Sequence, residues 1–249
     1  MTRRTAALVA AAAMLVACEQ AADDGSQPFA SQYTPLPSDA VILRGATVLT
    51  GTGERLDNAD VHMANGKIVA VGEALSADGA TVVDAAGKWV TPGVIDVHSH
   101  LGVYASPGTE SHSDGNEITA PVTAQVWAEH SVWPHDPGFT TALAGGVTAL
   151  QILPGSANLM GGRGVTLKNV PGRNVMEMKF PGAPHGFKMA CGENPKRVYG
   201  GRGQAPGTRM GNVAGYRQAW LEAAAYRDKL DAAAAGKGEA PTRDLKLET

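Results

Sequence analysis

Thr91-Pro92-Gly93-Val94-Ile95-Asp96-Val97-His98-Ser99-His100 is the stretch on which the reading of this chain turns. Thr91-Pro92-Gly93 breaks what precedes it. Val94 to Val97 is then an apolar, β-branched run interrupted only by Asp96, the pattern of a strand buried on both faces in a parallel sheet. Side chains two apart on a strand share a face, so His98 and His100 can aim imidazole nitrogens at one point, with Asp96 one step deeper. At the C-terminal end of a parallel strand that face looks into the mouth where barrel and doubly wound folds do their chemistry. Neutral imidazoles suit zinc, iron, nickel or cobalt, and the pair lacks the thiolates of a closed structural zinc site. Taken alone, His-x-His fits two packed or surface histidines equally well.

Downstream, residues 101–135 form a long excursion rich in Gly, Ser, Pro and His. Asp136-Pro137 predicts an N-cap and first-turn proline, opening a helix through Ala144 that Gly145-Gly146 ends. Val147 to Ile152 follows as a second buried strand, so that strand, helix and strand make a βαβ unit with parallel pairing. Residues 164–169 and 174–180 are expected to form a hairpin, and Gly186 to Ala190 another buried strand. Asn212 to Ala235 predicts a helix capped by Asn212 and stopped by Gly236, with Val213, Tyr216, Trp220, Ala224 and Leu230 along its apolar stripe.

Upstream, residues 41–92 read as short strands and tight turns, half of a β-sandwich. Asn65-Gly66 is a type I′ hairpin signal, since both central positions need positive φ. Arg3-Arg4 followed by the apolar run Ala6 to Ala17 predicts an export signal over residues 1–17, too short to span a bilayer comfortably. Leu15-Val16-Ala17-Cys18 resembles a bacterial lipobox, which implies a lipid on Cys18 and a protein anchored to the membrane on the periplasmic side. Residues 18–40 lack apolar periodicity and are expected to be a flexible, solvated tether.

With 249 residues, 43% of them hydrophobic, the chain can bury a real core. Its 31 glycines and 15 prolines point to many turns and long loops. The formal charge of −3 lacks the concentrated basic face that non-specific nucleic-acid binding needs. Two cysteines make no disulfide framework.

The motif Pro92 to His100, the preceding Ile68-Val69-Ala70-Val71-Gly72 and, more loosely, Gly145-Gly146-Val147-Thr148-Ala149 resemble the amidohydrolase superfamily over residues 41–205. That resemblance implies an α/β fold, a (β/α)₈ TIM barrel flanked by a β-sandwich. It implies a divalent metal cofactor, zinc foremost, as one or two ions, and a small-molecule amide or peptide substrate hydrolysed at a C–N bond. His98 and His100 are then metal ligands. A lysine in a later strand is carboxylated in many such enzymes, and Lys188, inside Gly186-Phe187-Lys188-Met189-Ala190, takes that place. The alternatives for Lys188 are a carboxylate partner or escape to solvent. Lys168 is its rival, and Glu193 a carboxylate ligand in a one-metal version.

His112, His130 and His135, on the long loop, are candidates to touch substrate. Arg163, Arg197 and Arg202 are candidates to clamp a carboxylate, and Cys191 reads as a packed thiol. Residues 93–249 fall short of the ~240 that eight βα units need, so the barrel is expected to be incomplete. No histidine follows His185, and the family's later ligands and its aspartate general base are expected beyond residue 249, with the polypeptide inactive alone. The rival reading is a non-catalytic exported lipoprotein that binds a ligand or partner.

Overall fold

Strand β1 (Val41–Leu49) carries the first sheet of the computed structural model, which describes residues 29–248. The export signal and Cys18 lie outside the described residues. β2 (Arg55–Ala64) pairs antiparallel with β1, and β3 (Lys67–Gly72) antiparallel with β2. β4 (Thr81–Asp84) and β5 (Trp89–Val90) both run parallel to β1. The β2–β3 turn is the expected hairpin: Asn65 has φ 52° and Gly66 φ 70°. Ala46, Val48, Ala59, Val61 and Ala85 bury one face.

A register shift between Leu43 and Ala46 bulges β1 at Gly45, where φ is +75°. The Gly45 amide donates to Asp60 Oδ1 at 2.9 Å instead of joining the ladder. Asp60 is buried and also accepts from Leu75 N at 3.0 Å and Arg44 Nε at 3.3 Å. Burial pushes the Asp60 carboxyl up, but the two amides and the guanidinium together outweigh it and hold the pKa below its ordinary value.

The second region is built on β6 (Val94–Ser99), α1 (Pro137–Ala144) and β7 (Val147–Ile152). Strands β6 and β7 are parallel, with Val94 opposite Val147 and Ile95 opposite Ala149. Asp136 caps α1 through Gly138 N, and Gly145 follows the last helical residue. β6 is not buried on both faces as expected: it is the edge of the order β6-β7-β9, and Ile95 and Val97 are 66% and 69% exposed. Among the described residues no strand flanks its outer edge.

β9 (Val165–Lys168) joins β7 antiparallel. β8 (Met160–Arg163) and β10 (Phe187–Met189) form a separate antiparallel pair. In this region the parallel strand ladder among the described residues is that of β6 with β7, beside isolated parallel bridges Val122–Met160 and Trp127–Arg163. The core joins Leu150, Ile152, Val165 and Leu167 to Phe139 of α1 and to Val103, Ala128 and Val132 of the long excursion.

The hairpin expected over residues 164–180 is not there. The Asn174 side chain accepts from Met176 N and Glu177 N, capping the short helix α2 (Val175–Met178), and only a Leu167–Lys179 bridge returns to β9. Helix α3 is Glu193–Gly200. Helix α4 (Arg209–Ala234) starts earlier than expected, because Thr208 caps it through Gly211 N. Asn212 lies one turn inside, buried, donating to Gly192 O at 3.2 Å. The expected apolar stripe does not pack as a whole: Trp220 is 53% exposed and Val213 is exposed too, whereas Tyr226 is buried. Gly236, at φ 70°, follows the helix end.

The expected tether is docked over part of its length. Phe29 sets its ring 4.6 Å from His130 and 5.8 Å from Trp127, and Gln32 N donates to Met176 O at 2.8 Å. Ser31 Oγ donates to Lys179 O at 2.6 Å, and Lys179 Nζ to Phe29 O at 2.7 Å. The same ammonium pairs at 2.8 Å with Glu129 Oε2, whose side chain is 0% exposed. Among the described residues Glu129 Oε1 has no partner.

Two outcomes follow. A carboxyl whose pKa is lowered by folding contributes stability above its unfolded pKa and loses it as pH falls through the folded one. Thermal melts below pH ~3.9 are therefore expected to show an acid-side loss that Asp60→Asn reduces, the variant being the less stable at pH 7. Lys179→Met leaves a buried carboxylate without its cation and is expected to lower stability by about 3–5 kcal/mol in urea unfolding. Adding Glu129→Gln should recover most of that; a double variant no more stable than the single would contradict the pairing.

Candidate metal centre

His98 lies in the last turn of pleat of β6 and His100 just past its end. Their ring centroids are 5.1 Å apart at 83°, so the two imidazoles are neighbours on one side of the strand. Ser99, between them, points the other way and is buried. The parallel pairing that sets this up continues past β7: Leu153 N donates to Ser99 O at 3.0 Å. Leu153 O in turn lies 2.8 Å from His100 Nδ1. A backbone carbonyl can only accept, so Nδ1 carries the proton and Nε2 is left with its lone pair for a ligand.

Lys188 reaches this place from β10. Its Nζ is 3.1 Å from His98 Nε2. The residue is 7% exposed, and among the described residues no carboxylate forms an ion pair with it. Neither alternative read from the sequence, a carboxylate partner or escape to solvent, describes it. Burial pushes the Lys188 amine below its ordinary pKa. The positive charge of Lys188 is the first cause lowering His98, with burial and His100 adding to it and Asp96 opposing. Two basic nitrogens this close share one proton between them at most, one donating and the other accepting. Asp96 does not join the cluster through its bonded oxygen: Oδ1 accepts from His98 N at 3.1 Å.

Among the described residues no three His, Cys, Asp or Glu side chains gather so as to hold a metal ion. What gathers is two imidazoles and one desolvated amine. The donor chemistry fits a divalent ion of intermediate softness. Burial makes the Lys188 amine easier to deprotonate, and in its neutral form it is a nitrogen base open to coordination or to addition of carbon dioxide.

The other candidates go elsewhere. Lys168 Nζ sits over the Tyr33 ring at 4.9 Å and the Phe180 ring at 4.7 Å. Glu193 is exposed in the first turn of α3. His112 packs on Trp133 at 4.7 Å, His135 lies 6.4 Å from the same ring, and His130 stacks on Trp127 at 6.0 Å. Arg163 lies over Trp127 at 4.6 Å, and Arg202 Nη1 donates to Ile118 O at 3.0 Å. Arg197 is exposed on α3. Cys191 is an exposed free thiol, not a packed one, because β10 has already ended at Met189.

Sequence reasoning missed Tyr104. Its ring meets His100 edge-on at 5.8 Å, and its hydroxyl accepts from the Asn116 amide. It also missed the Glu129–Lys179 pair, whose only trace is a charged residue inside each of two apolar stretches 50 positions apart.

No protein-family model matches the chain. It is 36% identical to an amidohydrolase, tasK, of Hapsidospora irregularis over 177 residues, which cover 66% of this chain and 18% of that protein. It is 38% identical over 71 residues to a dihydroorotase of Pelotomaculum thermopropionicum, covering 28% of this chain and 16% of the relative. Its fold is similar to a crystal structure of an amidohydrolase from Thermotoga maritima MSB8, with a TM-score of 0.77 and 42% identity over 84% of this chain and 54% of the other. The chain thus spans about half of that solved protein and less than a fifth of the two sequence relatives. Similarity in sequence and in mixed α/β fold to these proteins supports the amidohydrolase superfamily as the family of this chain.

Proposed function

We propose that the chain carries the first metal-binding part of a hydrolase that cleaves the C–N bonds of amides, cyclic amides or peptides. The observation that supports it is the meeting of Lys188 Nζ and His98 Nε2 at 3.1 Å, beside a His100 whose Nδ1 is already committed to Leu153 O. The relatives named as an amidohydrolase and a dihydroorotase point to the same bond class. A divalent metal at such a place supplies a nucleophilic water at neutral pH and polarises a carbonyl.

In this chain His98 and His100 would hold it through Nε2. The hydrogen bond from His100 Nδ1 fixes that ring's tautomer and aim. Lys188 would add carbon dioxide through Nζ, forming an N–C bond and releasing one proton, and the resulting carbamate would offer oxygen where the amine offered nitrogen. Export, and a lipid on Cys18 that holds the protein on the periplasmic side of a membrane, belong to the same proposal. Among the described residues no helix is long and apolar enough to cross a membrane.

Equilibrium dialysis against zinc tests the centre. The full chain is expected to retain zinc, and His98→Ala with His100→Ala to lose at least tenfold in affinity (about 1.4 kcal/mol or more); equal retention would overturn the assignment. Incubation with ¹³C-bicarbonate should give a carbamate carbon resonance that Lys188→Met abolishes. Because Lys188→Met removes a buried amine without a counter-charge, its melting temperature should equal or exceed that of the parent, which separates loss of the signal from loss of the fold. For the anchor, expression of the full chain with labelled palmitate should mark the product, and Cys18→Ser should not be marked.

A further inference from the structure

A cavity of about 250 Å³ opens under the residue 101–135 excursion. Its walls are the immediate neighbours of the candidate centre. Val103, on one wall, donates its amide to His100 O at 3.3 Å. Pro154, on another, follows the Leu153 carbonyl that holds His100 Nδ1. Gly161, on a third, lies against Lys188, whose Cγ would be 3.7 Å from any Cβ built there. The hollow therefore borders the candidate centre through Val103, Pro154 and Gly161, while His98, His100 and Lys188 stand behind its walls.

Its chemistry is two-sided. Val103, Trp127, Ala128 and Pro154 make an apolar wall, while Asp114 and Glu117, both exposed, stand in a lining that includes no lysine or arginine; Arg202 lies outside it, donating to Ile118 O at 3.0 Å. Arg163, a cation near this wall, is drawn over the Trp127 ring at 4.6 Å. Neither Asp114 nor Glu117 is in an ion pair among the described residues. Glu117 keeps Oε1 on Thr119 N at 3.3 Å. Asn116 is pinned between them, accepting from Ala157 N at 3.0 Å and donating to Tyr104, so the lining is held in shape from the His100 side.

We propose that this cavity is the side-chain subsite of the substrate, and that it takes an apolar stem ending in a positive charge, as in an amide of lysine or of a similar amine-bearing acid. The stem lies along Trp127 and its apolar neighbours, and the cationic tip reaches the two carboxylates, where charge-assisted hydrogen bonds are stronger than neutral ones. An anionic side chain meets two like charges, and the nearby Arg163 guanidinium is already stacked on Trp127. The proposal rests on the hydrolase reading for the word substrate, but its binding chemistry does not need the metal.

The test titrates the full chain calorimetrically with the Nα-acetyl amides of lysine, norleucine and glutamate. The lysine probe should bind at least about tenfold more tightly than norleucine, and glutamate weakest of the three. Asp114→Asn with Glu117→Gln should bring lysine and norleucine to the same affinity while leaving norleucine unchanged, which also reports that the variant is folded. Trp127→Ala should weaken lysine and norleucine together. Equal affinities in the parent chain, no saturable binding of any probe, or a lysine preference that survives the double substitution would each overturn the proposal. Zinc retention separates the two readings. A lysine preference in a chain that holds no zinc removes the metal centre and keeps the subsite, and zinc held without that preference does the reverse.

Discussion

An amine buried without a counter-charge, 3.1 Å from an imidazole, is the constraint around which the second half of this molecule is arranged. Methionine or leucine at that position of β10 would satisfy packing with nothing to desolvate. The chain instead places Lys188 where its charge disfavours a proton on His98, and it places His98 by the pleat of an edge strand. Strand β10 reaches this point through β8, not through the parallel sheet. The meeting of the two nitrogens therefore depends on two separate ladders keeping their relative positions, and residues that couple those ladders matter as much as the ligating side chains do.

That coupling comes from the long excursion between β6 and α1. It has almost no regular structure, yet it is fastened by buried polar groups. Asp136 accepts from Gly102 N at 2.9 Å and Ser106 N at 3.2 Å as well as capping α1. Asn158 donates to Ala120 O at 2.9 Å and to the buried Tyr199 hydroxyl at 3.0 Å, and Thr123 N donates to Met160 O on β8 at 2.8 Å. Asn169 donates to Phe139 O and Val147 O, tying α1 to β7. Each such group is costly to bury unpaired and directional once paired, so together they fix a conformation that hydrophobic burial alone would leave loose. Arg163 N to Val126 O at 2.8 Å adds a backbone strut from the excursion to β8.

Local chemistry was readable in advance wherever a short stretch decides its own conformation. Asn65-Gly66 needs positive φ at both positions, and Asp136-Pro137 offers a cap and a fixed φ, so the hairpin and α1 follow from a few residues each. The His98–His100 juxtaposition is equally local, a consequence of the strand period. What was not readable is long-range. Asn174 and Thr208 compete as caps with alternatives that are just as good in isolation, and tertiary context decides: Asn212 is drawn inward to Gly192 O, leaving Thr208 to start α4. Phe29 and Ser31 carry no periodicity that marks them as docked, because the partners that hold them, Trp127, His130 and Lys179, lie about a hundred or more positions away. The exposure of β6 contradicts its apolar composition because composition records what a strand could pack against, and nothing among the described residues covers that face.

The docking of Phe29 to Tyr33 sets a leash length. From Cys18 to Phe29 a polypeptide cannot stretch beyond about 40 Å whatever path it takes. With a lipid on Cys18, the body could rise no farther than roughly that length from the bilayer. Encounters with diffusing molecules would then happen in a thin layer along the membrane.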